Sequence, residues 1–355
     1  MKLPPLSAKL LPWYEKNKRP LPWRDTRDPY RIWVSEIMLQ QTQVKTVIPY
    51  CHRWLDAFPD IKTLAKAPLS KVLKLWEGLG YYRRAKNLHE TAKLIVKNYA
   101  GRFPSEPEAI YSLSGIGKYT GGAILSIAFG KQAPILDGNV ARILSRIFAL
   151  NDPVDTPKGL KKLWELAALL LPEKNPGDFN QSMMELGATL CLPQEPACLI
   201  CPVSGFCQAR QAGTEQDYPR KSGKTKIKKV RAACAVVRHG DRLLITQRPD
   251  NGLWAHLWEF PTFRITDKED GGDFLKKQLQ TAGLKAKSIA HKTSLKRTYT
   301  DHSENLEVYA CELTSETSAT PSSADSPFSG QWVKLHELKR FAFSSAHAKI
   351  IREYL

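Results

Sequence analysis

The sequence predicts two structural classes in series, an all-α region over residues 1–218 and an α+β domain over 231–355, joined by a basic linker at 219–230. Three observations carry this. Up to about residue 215 apolar residues recur at helical spacing and no strand ladder can be read. From Pro219 to Arg231 the chain runs PRKSGKTKIKKVR, with no acid and almost nothing to bury, either a plain solvated linker or one that touches phosphate. After it, short strand-like runs bounded by turn residues take over.

In order, Asp28-Pro29 reads as a cap followed by a first-turn proline, opening a helix over Tyr30–Ile48 that Pro49 helps to end. Further helices are expected at Leu69–Trp76, Arg83–Tyr99, Glu106–Ser112 and Gly159–Leu170. Beyond the linker, Ala232–Val237 and Leu243–Thr246 flank a His239-Gly240-Asp241 turn and read as a β-hairpin. Strands are expected near Trp258–Phe260, Leu306–Cys311 and Trp332–Val333, helices at Asp273–Ala282 and Ser345–Tyr354, and a Ser/Thr/Pro-rich loop at Ser315–Gly330.

Hydrophobic residues make up 42% and charged residues 25% of the 355, the balance of a globular chain with room for two cores. The net charge of +18 points to a polyanionic partner, nucleic acid before an acidic membrane. No apolar span, lipidation signal or export signal is evident, so a cytoplasmic, nucleoid-associated location is expected; a monomer is expected separately. Seven cysteines, an odd number, argue against a disulfide framework.

Leu113–Val140 carries two features with chemical meaning. Gly115-Ile116-Gly117 precedes a small-residue helical run from Lys118, a tight turn whose bare N–H groups and helix dipole suit a phosphate. Asp137 stands before a helix marked by Val140, Ile143, Leu144 and Ile147. Each has a plainer reading, an ordinary turn and an N-cap. Glu36 lies one turn past Ile32 and Trp33, either rotated to solvent or buried with a raised pKa that makes it a proton donor. Cys191, Cys198, Cys201 and Cys207 follow C-x6-C-x2-C-x5-C. Zinc sites more often pair two short knuckles across a longer gap, so an iron–sulfur cluster suits this single loop better.

Taken together, Pro22-Trp23-Arg24, Trp33–Val44 with Glu36 and Gln40-Gln41-Thr42-Gln43, Gly78-Leu79-Gly80-Tyr81-Tyr82, Gly115–Gly117, Leu136–Val140 and the cysteine loop resemble the helix–hairpin–helix DNA glycosylases. Within these the pattern is similar to MutY-type adenine DNA glycosylases over residues 12–207, continuing more weakly into a Nudix-like domain. The resemblance implies a monofunctional glycosylase with a 4Fe–4S cluster, acting on duplex DNA containing A:8-oxoguanine or A:G mispairs. Cleavage of a glycosidic bond suits two carboxyl groups, one protonating the leaving base and one facing the sugar cation. The resemblance assigns these to Glu36 and Asp137, with Tyr119 and Asn139 beside them. It also implies a base pocket at Leu21, Trp23 and Arg24, with Gln41 and Tyr81 wedging into the stack from which the base is extruded. DNA contacts fall at Gln40, Gln41, Tyr81, Gly115, Gly117, Lys118 and Thr120.

Tyr119 stands where endonuclease III-type glycosylase/lyases, which act on damaged pyrimidines, carry a nucleophilic lysine, and Lys118 would face elsewhere on a helix. That argues for water as nucleophile. A Nudix hydrolase is a second alternative, but Asp273–Gly283 has Lys and Gln where Mg²⁺ carboxylates should stand. An iron–sulfur DNA-binding protein without catalysis is a third, opposed by intact Glu36 and Asp137. The family's lesion-reading aromatic–Ser–His run is loosened here to Tyr299-Thr300-Asp301-His302, which leaves Tyr299, Thr300 and His302 as lesion readers or plain surface strand residues.

Overall fold

The computed structural model describes residues 4–223, 227–299, 302–314, 328 and 330–355. Thr300, Asp301 and most of the Ser/Thr/Pro-rich loop lie outside the described residues. The chain forms two compact units, one of residues 1–67 and 87–223, the other of 68–86 and 224–355.

The helical part runs α1 (Leu6–Asn17), α2 (Pro29–Leu39), α3 (Val44–Ala57), α4 (Ile61–Lys66), α5 (Leu69–Trp76) and α6 (Arg83–Tyr99). It continues with α7 (Pro107–Tyr111), α8 (Lys118–Ala123), α9 (Gly138–Ile147), α10 (Pro157–Leu170), α11 (Pro176–Thr189) and α12 (Gln208–Ala212). Asp28 accepts from the Tyr30 N–H at 2.9 Å, the cap expected for α2. The single helix expected over Tyr30–Ile48 is instead two. Gln41 takes a left-handed φ of 57°, which ends α2 and lets Gln43 start α3 afresh. Pro49 does not end a helix but sits exposed inside α3. Val47, Cys51 and Trp54, buried at i, i+4, i+7, hold α3 together through the hydrogen bond that proline omits.

The core of this unit gathers Leu6 and Leu10 of α1, Ile143, Leu144 and Ile147 of α9, Leu163 of α10 and Leu186 of α11. Directly after α8 comes a π-helical turn, Ile124–Ala128. Gly177, near the start of α11, lies so close to it that a Cβ would meet the Ser126 carbonyl oxygen at 2.5 Å.

The sheet comprises β1 (Lys228–His239), β2 (Arg242–Gln247), β3 (Trp258–Glu259), β4 (Thr262–Ile265), β5 (Ala286–Thr298), β6 (His302–Leu313) and β7 (Gln331–Lys334), with α13 (Gly271–Thr281) and α14 (Ser345–Tyr354). The strand order is β3-β2-β1-β6-β5, with β4 also on β1 and β7 on β2. β1 and β6 are parallel, while His239 faces Arg242 across the expected hairpin turn, where Gly240 has φ 59°. β1 starts at Lys228, within the stretch read as linker. Arg231 there is held by Glu307 at 2.7 Å and by three carbonyls of the 266–269 turn, so its charge is committed to the fold. Alternate β1 residues feed two cores: Ala232, Cys234 and Val236 with Ile350 of α14, and Ala233, Ala235 and Val237 with Leu275 and Leu279 of α13.

Residues 68–86 belong to this second unit, and backbone groups of 341–343 hold them. Lys74 Nζ donates to the Phe341 carbonyl at 2.9 Å, the Phe343 N–H donates to Glu77 at 2.8 Å, and the Tyr82 hydroxyl donates to the Phe343 carbonyl at 2.9 Å.

Candidate active site

α2 is buried on nearly all sides, so Glu36 has no solvent face to turn to and is only 4% exposed. Tyr119 of α8 donates its hydroxyl to Glu36 Oε2 at 2.6 Å and also reaches Met184 Sδ at 3.3 Å. Burial pushes the Glu36 carboxyl up to about 7; Asp137's charge adds to this, and the Tyr119 bond and Arg24's charge oppose it. Burial beside these carboxyls holds the Tyr119 phenol well above its ordinary value.

Asp137 caps α9, its Oδ1 accepting from the Val140 N–H at 2.7 Å, and its Oδ2 accepts from Asn139 Nδ2 at 3.0 Å. Burial raises its pKa, while the Val140 and Asn139 donors and the Arg142 charge favour the carboxylate. Arg142 donates to Asn139 Oδ1 at 2.9 Å, the Gly187 carbonyl at 2.8 Å and, through Nε, the Cys191 carbonyl at 2.8 Å. Gly187 packs so tightly that a Cβ would stand 2.5 Å from that of Asn139. Gly187→Ala should therefore displace Asn139 from Asp137 and lower the melting temperature; an unchanged melting temperature contradicts this.

Leu21 and Trp23 are buried, 6% and 7% exposed. Arg24 lies over the Tyr14 ring at 5.5 Å and donates to the Arg19 carbonyl at 2.9 Å and to Glu185 at 2.6 Å. Gln40 donates to buried Thr120 Oγ1 at 3.2 Å. Gly115 has φ 77° and abuts Asn87, where a Cβ would come within 2.8 Å; Gly117 precedes α8 with open space around it. Lys118 Nζ sits over the Trp164 ring at 4.1 Å, while Tyr119 next to it meets Glu36. Gln41 is exposed. In the other unit Tyr81, 55% exposed with φ 47°, is braced by Arg84, whose guanidinium lies 5.3 Å from the Trp76 ring and 5.4 Å from the Tyr81 ring and donates to the Leu79 and Gly80 carbonyls.

All four loop cysteines, Cys191, Cys198, Cys201 and Cys207, line one hollow with Ile143, Leu186 and Val203, and none is in a disulfide. Among the described residues no three His, Cys, Asp or Glu are set around a single ion. Four thiols lining one hollow are donors of the kind an iron–sulfur cluster takes. Arg146, 1% exposed, braces the loop through the Leu192, Pro193 and Glu215 carbonyls and approaches Cys191 Sγ at 3.3 Å.

In the sheet unit the Tyr299 and His302 rings stack at 4.3 Å, and Trp254 lies 5.4 Å from Tyr299. Arg297 pairs with Glu304 and covers Trp254. Along α13 the sequence GGDFLKKQLQT offers Asp273 as its one carboxylate.

Sequence reasoning passed over Arg19, Arg142, Arg146, Glu185 and Gly187. A glutamate inside the apolar run Met183–Leu186, a few residues before Cys191, is the signal that could have found Glu185.

Residues 34–168 match the HhH-GPD superfamily of base excision DNA repair proteins and residues 232–353 match the NUDIX domain. The helical unit, the Nudix-like sheet and the buried carboxyl together define the class, a helix–hairpin–helix base-excision glycosylase with a Nudix-like C-terminal domain. The chain is 35% identical to human adenine DNA glycosylase, covering 97% of this chain and 73% of the relative. It is 40% identical to adenine DNA glycosylase of Buchnera aphidicola subsp. Acyrthosiphon pisum, covering 77% of each. Among solved structures it is similar to a thermostable thymine-DNA glycosylase, 33% identical with a TM-score of 0.54 over 58% of this chain and 95% of that one. An endonuclease III–DNA complex shares the fold at 19% identity and a TM-score of 0.50, over 60% of this chain and 99% of that one. The chain belongs to the adenine DNA glycosylase family and is a base-excision repair enzyme acting on DNA. No described helix is long and apolar enough to cross a membrane.

Proposed function

We propose that this enzyme hydrolyses the N-glycosidic bond of adenine opposite 8-oxoguanine or guanine in duplex DNA, as a monomer and without strand nicking. The observation that carries the chemistry is a buried Glu36, hydrogen-bonded to Tyr119, whose carboxyl is pushed up to about 7 by burial with Asp137's charge adding to it. Tyr119 occupies one Glu36 oxygen as a donor, so the other carries the proton given to the adenine ring. Protonation makes the base a far better leaving group and costs no free acid in solution. Asp137, buried but with its carboxylate form favoured by the Val140 and Asn139 donors, stabilises the oxocarbenium-like sugar as the bond breaks. No lysine stands at position 119 to form a Schiff base, and water completes the reaction.

Leu21, Trp23 and Arg24 form the adenine pocket in this scheme, and Gln41 and Tyr81, each exposed on a left-handed turn, enter the stack. Gln40, Gly115, Gly117, Lys118 and Thr120 meet the DNA backbone. Cys191, Cys198, Cys201 and Cys207 would hold a 4Fe–4S cluster, whose contribution is to tie the 191–207 loop. The stacked Tyr299–His302 pair reads the base opposite adenine.

The test is a single-turnover assay on a 5′-labelled duplex with one A:8-oxoguanine pair, with and without hot alkali, on protein assayed for iron and labile sulfide. Product in the alkali lane alone is expected, with about four irons per chain. Nicking without alkali would overturn the monofunctional mechanism, and an active iron-free preparation would overturn the cluster.

A further inference from the structure

Glu185 of α11 is fully buried, and its carboxylate is saturated by two arginines from one short segment. Oε1 accepts from the Arg19 backbone N–H at 3.0 Å and Arg19 Nε at 2.8 Å; Oε2 accepts from Arg19 Nη2 at 2.8 Å and Arg24 Nη2 at 2.6 Å. Arg24 is also tied to the Arg19 carbonyl and to the Tyr14 ring, and its side chain is only 8% exposed. Burial alone would raise the Glu185 pKa; the two arginines outweigh that and hold it at about 2, so it is a permanent anion.

A largely buried ion triad is a poor device for stability alone, because apolar residues of the same size often serve as well or better. Here the triad adjoins the reacting groups. Met184, its chain neighbour, touches the Tyr119 hydroxyl, and the Arg24 charge reaches Glu36. The groups acting on Glu36 come from three elements: Tyr119 of α8, Asp137 before α9, and Arg24.

We propose that Glu185 is a positioning residue for base release: by clamping Arg24 and Arg19 it places the pocket cation and limits the positive charge that Glu36 feels. This rests on Glu36 being the acid. With the anion removed, the buried Arg24 and the partly exposed Arg19 lose their counter-charge and Glu36 surrenders its proton at lower pH. Removing Arg19 instead leaves Glu185 facing Arg24 alone, and Glu36 keeps its proton to higher pH. Opposite shifts cannot arise from damaged folding.

The experiment is the single-turnover rate from pH 5 to 9 for wild type, Glu185→Gln, Glu185→Asp and Arg19→Gln, with melting temperatures and affinity for abasic product duplex. In Glu185→Gln the alkaline limb should fall by about one pH unit and the rate at pH 7.5 by tenfold or more. Glu185→Asp should recover most of the limb, and Arg19→Gln should move it upward. A limb unmoved in Glu185→Gln and Arg19→Gln, with rates lost only in proportion to melting temperature, overturns the proposal and leaves a structural tie. If Glu185→Gln does not fold, Arg19→Gln decides alone. A Glu36→Gln control separates the levels: retained release there refutes the acid assignment itself, whereas a silent control beside unmoved limbs refutes only the role of Glu185.

Discussion

Glu36→Gln should lower adenine release by about a thousandfold or more while making the folded protein more stable above neutral pH. The first effect follows from the loss of a positioned proton donor, an interaction worth roughly 10²–10⁴ in rate. Glutamine keeps an oxygen to accept the Tyr119 hydroxyl, so the site should hold its shape. The second effect follows from linkage. The folded-state pKa of Glu36, about 7, lies above the 4.5 of an unburied glutamate. Between those values the folded state binds the extra proton, so wild-type stability is present at low pH and falls as pH rises toward 7. At pH 8 the buried anion costs up to about 3 kcal/mol, which an uncharged glutamine avoids. Melting curves at pH 5 and pH 8 should converge at the lower value and diverge at the higher, with the variant melting later. A variant less stable than wild type at pH 8 would show that Glu36 is not a desolvated acid.

Asp137→Asn should separate two duties of one side chain. Asparagine caps helices about as well as aspartate, so α9 should stay formed and the melting temperature should hardly move. On the proposed mechanism the negative charge toward the sugar is lost, however, and release should fall by roughly 10²–10³. Because Asp137's charge helps to raise the Glu36 pKa, whatever activity remains should lose its alkaline limb at lower pH. Asp137→Ala would drop the cap as well, at about 1 kcal/mol. Equal rates in wild type and Asp137→Asn would reduce Asp137 to a cap.

Much of this could be read in one dimension because its causes are local. A cap before a proline, a two-residue turn with glycine, and four cysteines in seventeen positions each act within a few residues. What escaped depends on contacts distant in sequence. α11 was not legible because Asn180, Gln181, Ser182 and Glu185 are polar yet buried, which blurs the helical stripe. Their bonds reach far: Asn180 to Ser126 and the Ala133 carbonyl, Glu185 to Arg19 and Arg24. The orientation of Glu36 was open for the same reason, since only tertiary packing removes its solvent face. β5 was missed because its residues are mostly exposed, and pairing with β6 rather than an apolar rhythm makes it a strand.

The attachment of residues 68–86 to the sheet unit has a consequence for anyone who would cut or graft this enzyme. A fragment ending before Lys228 would retain Tyr81 in its sequence but shed the Phe341 and Phe343 backbone groups that grip Lys74, Glu77 and Tyr82. The modules interchangeable among such enzymes are therefore not consecutive stretches of chain. A faithful chimera would exchange α5 and its following turn together with the C-terminal sheet, as one discontinuous cassette.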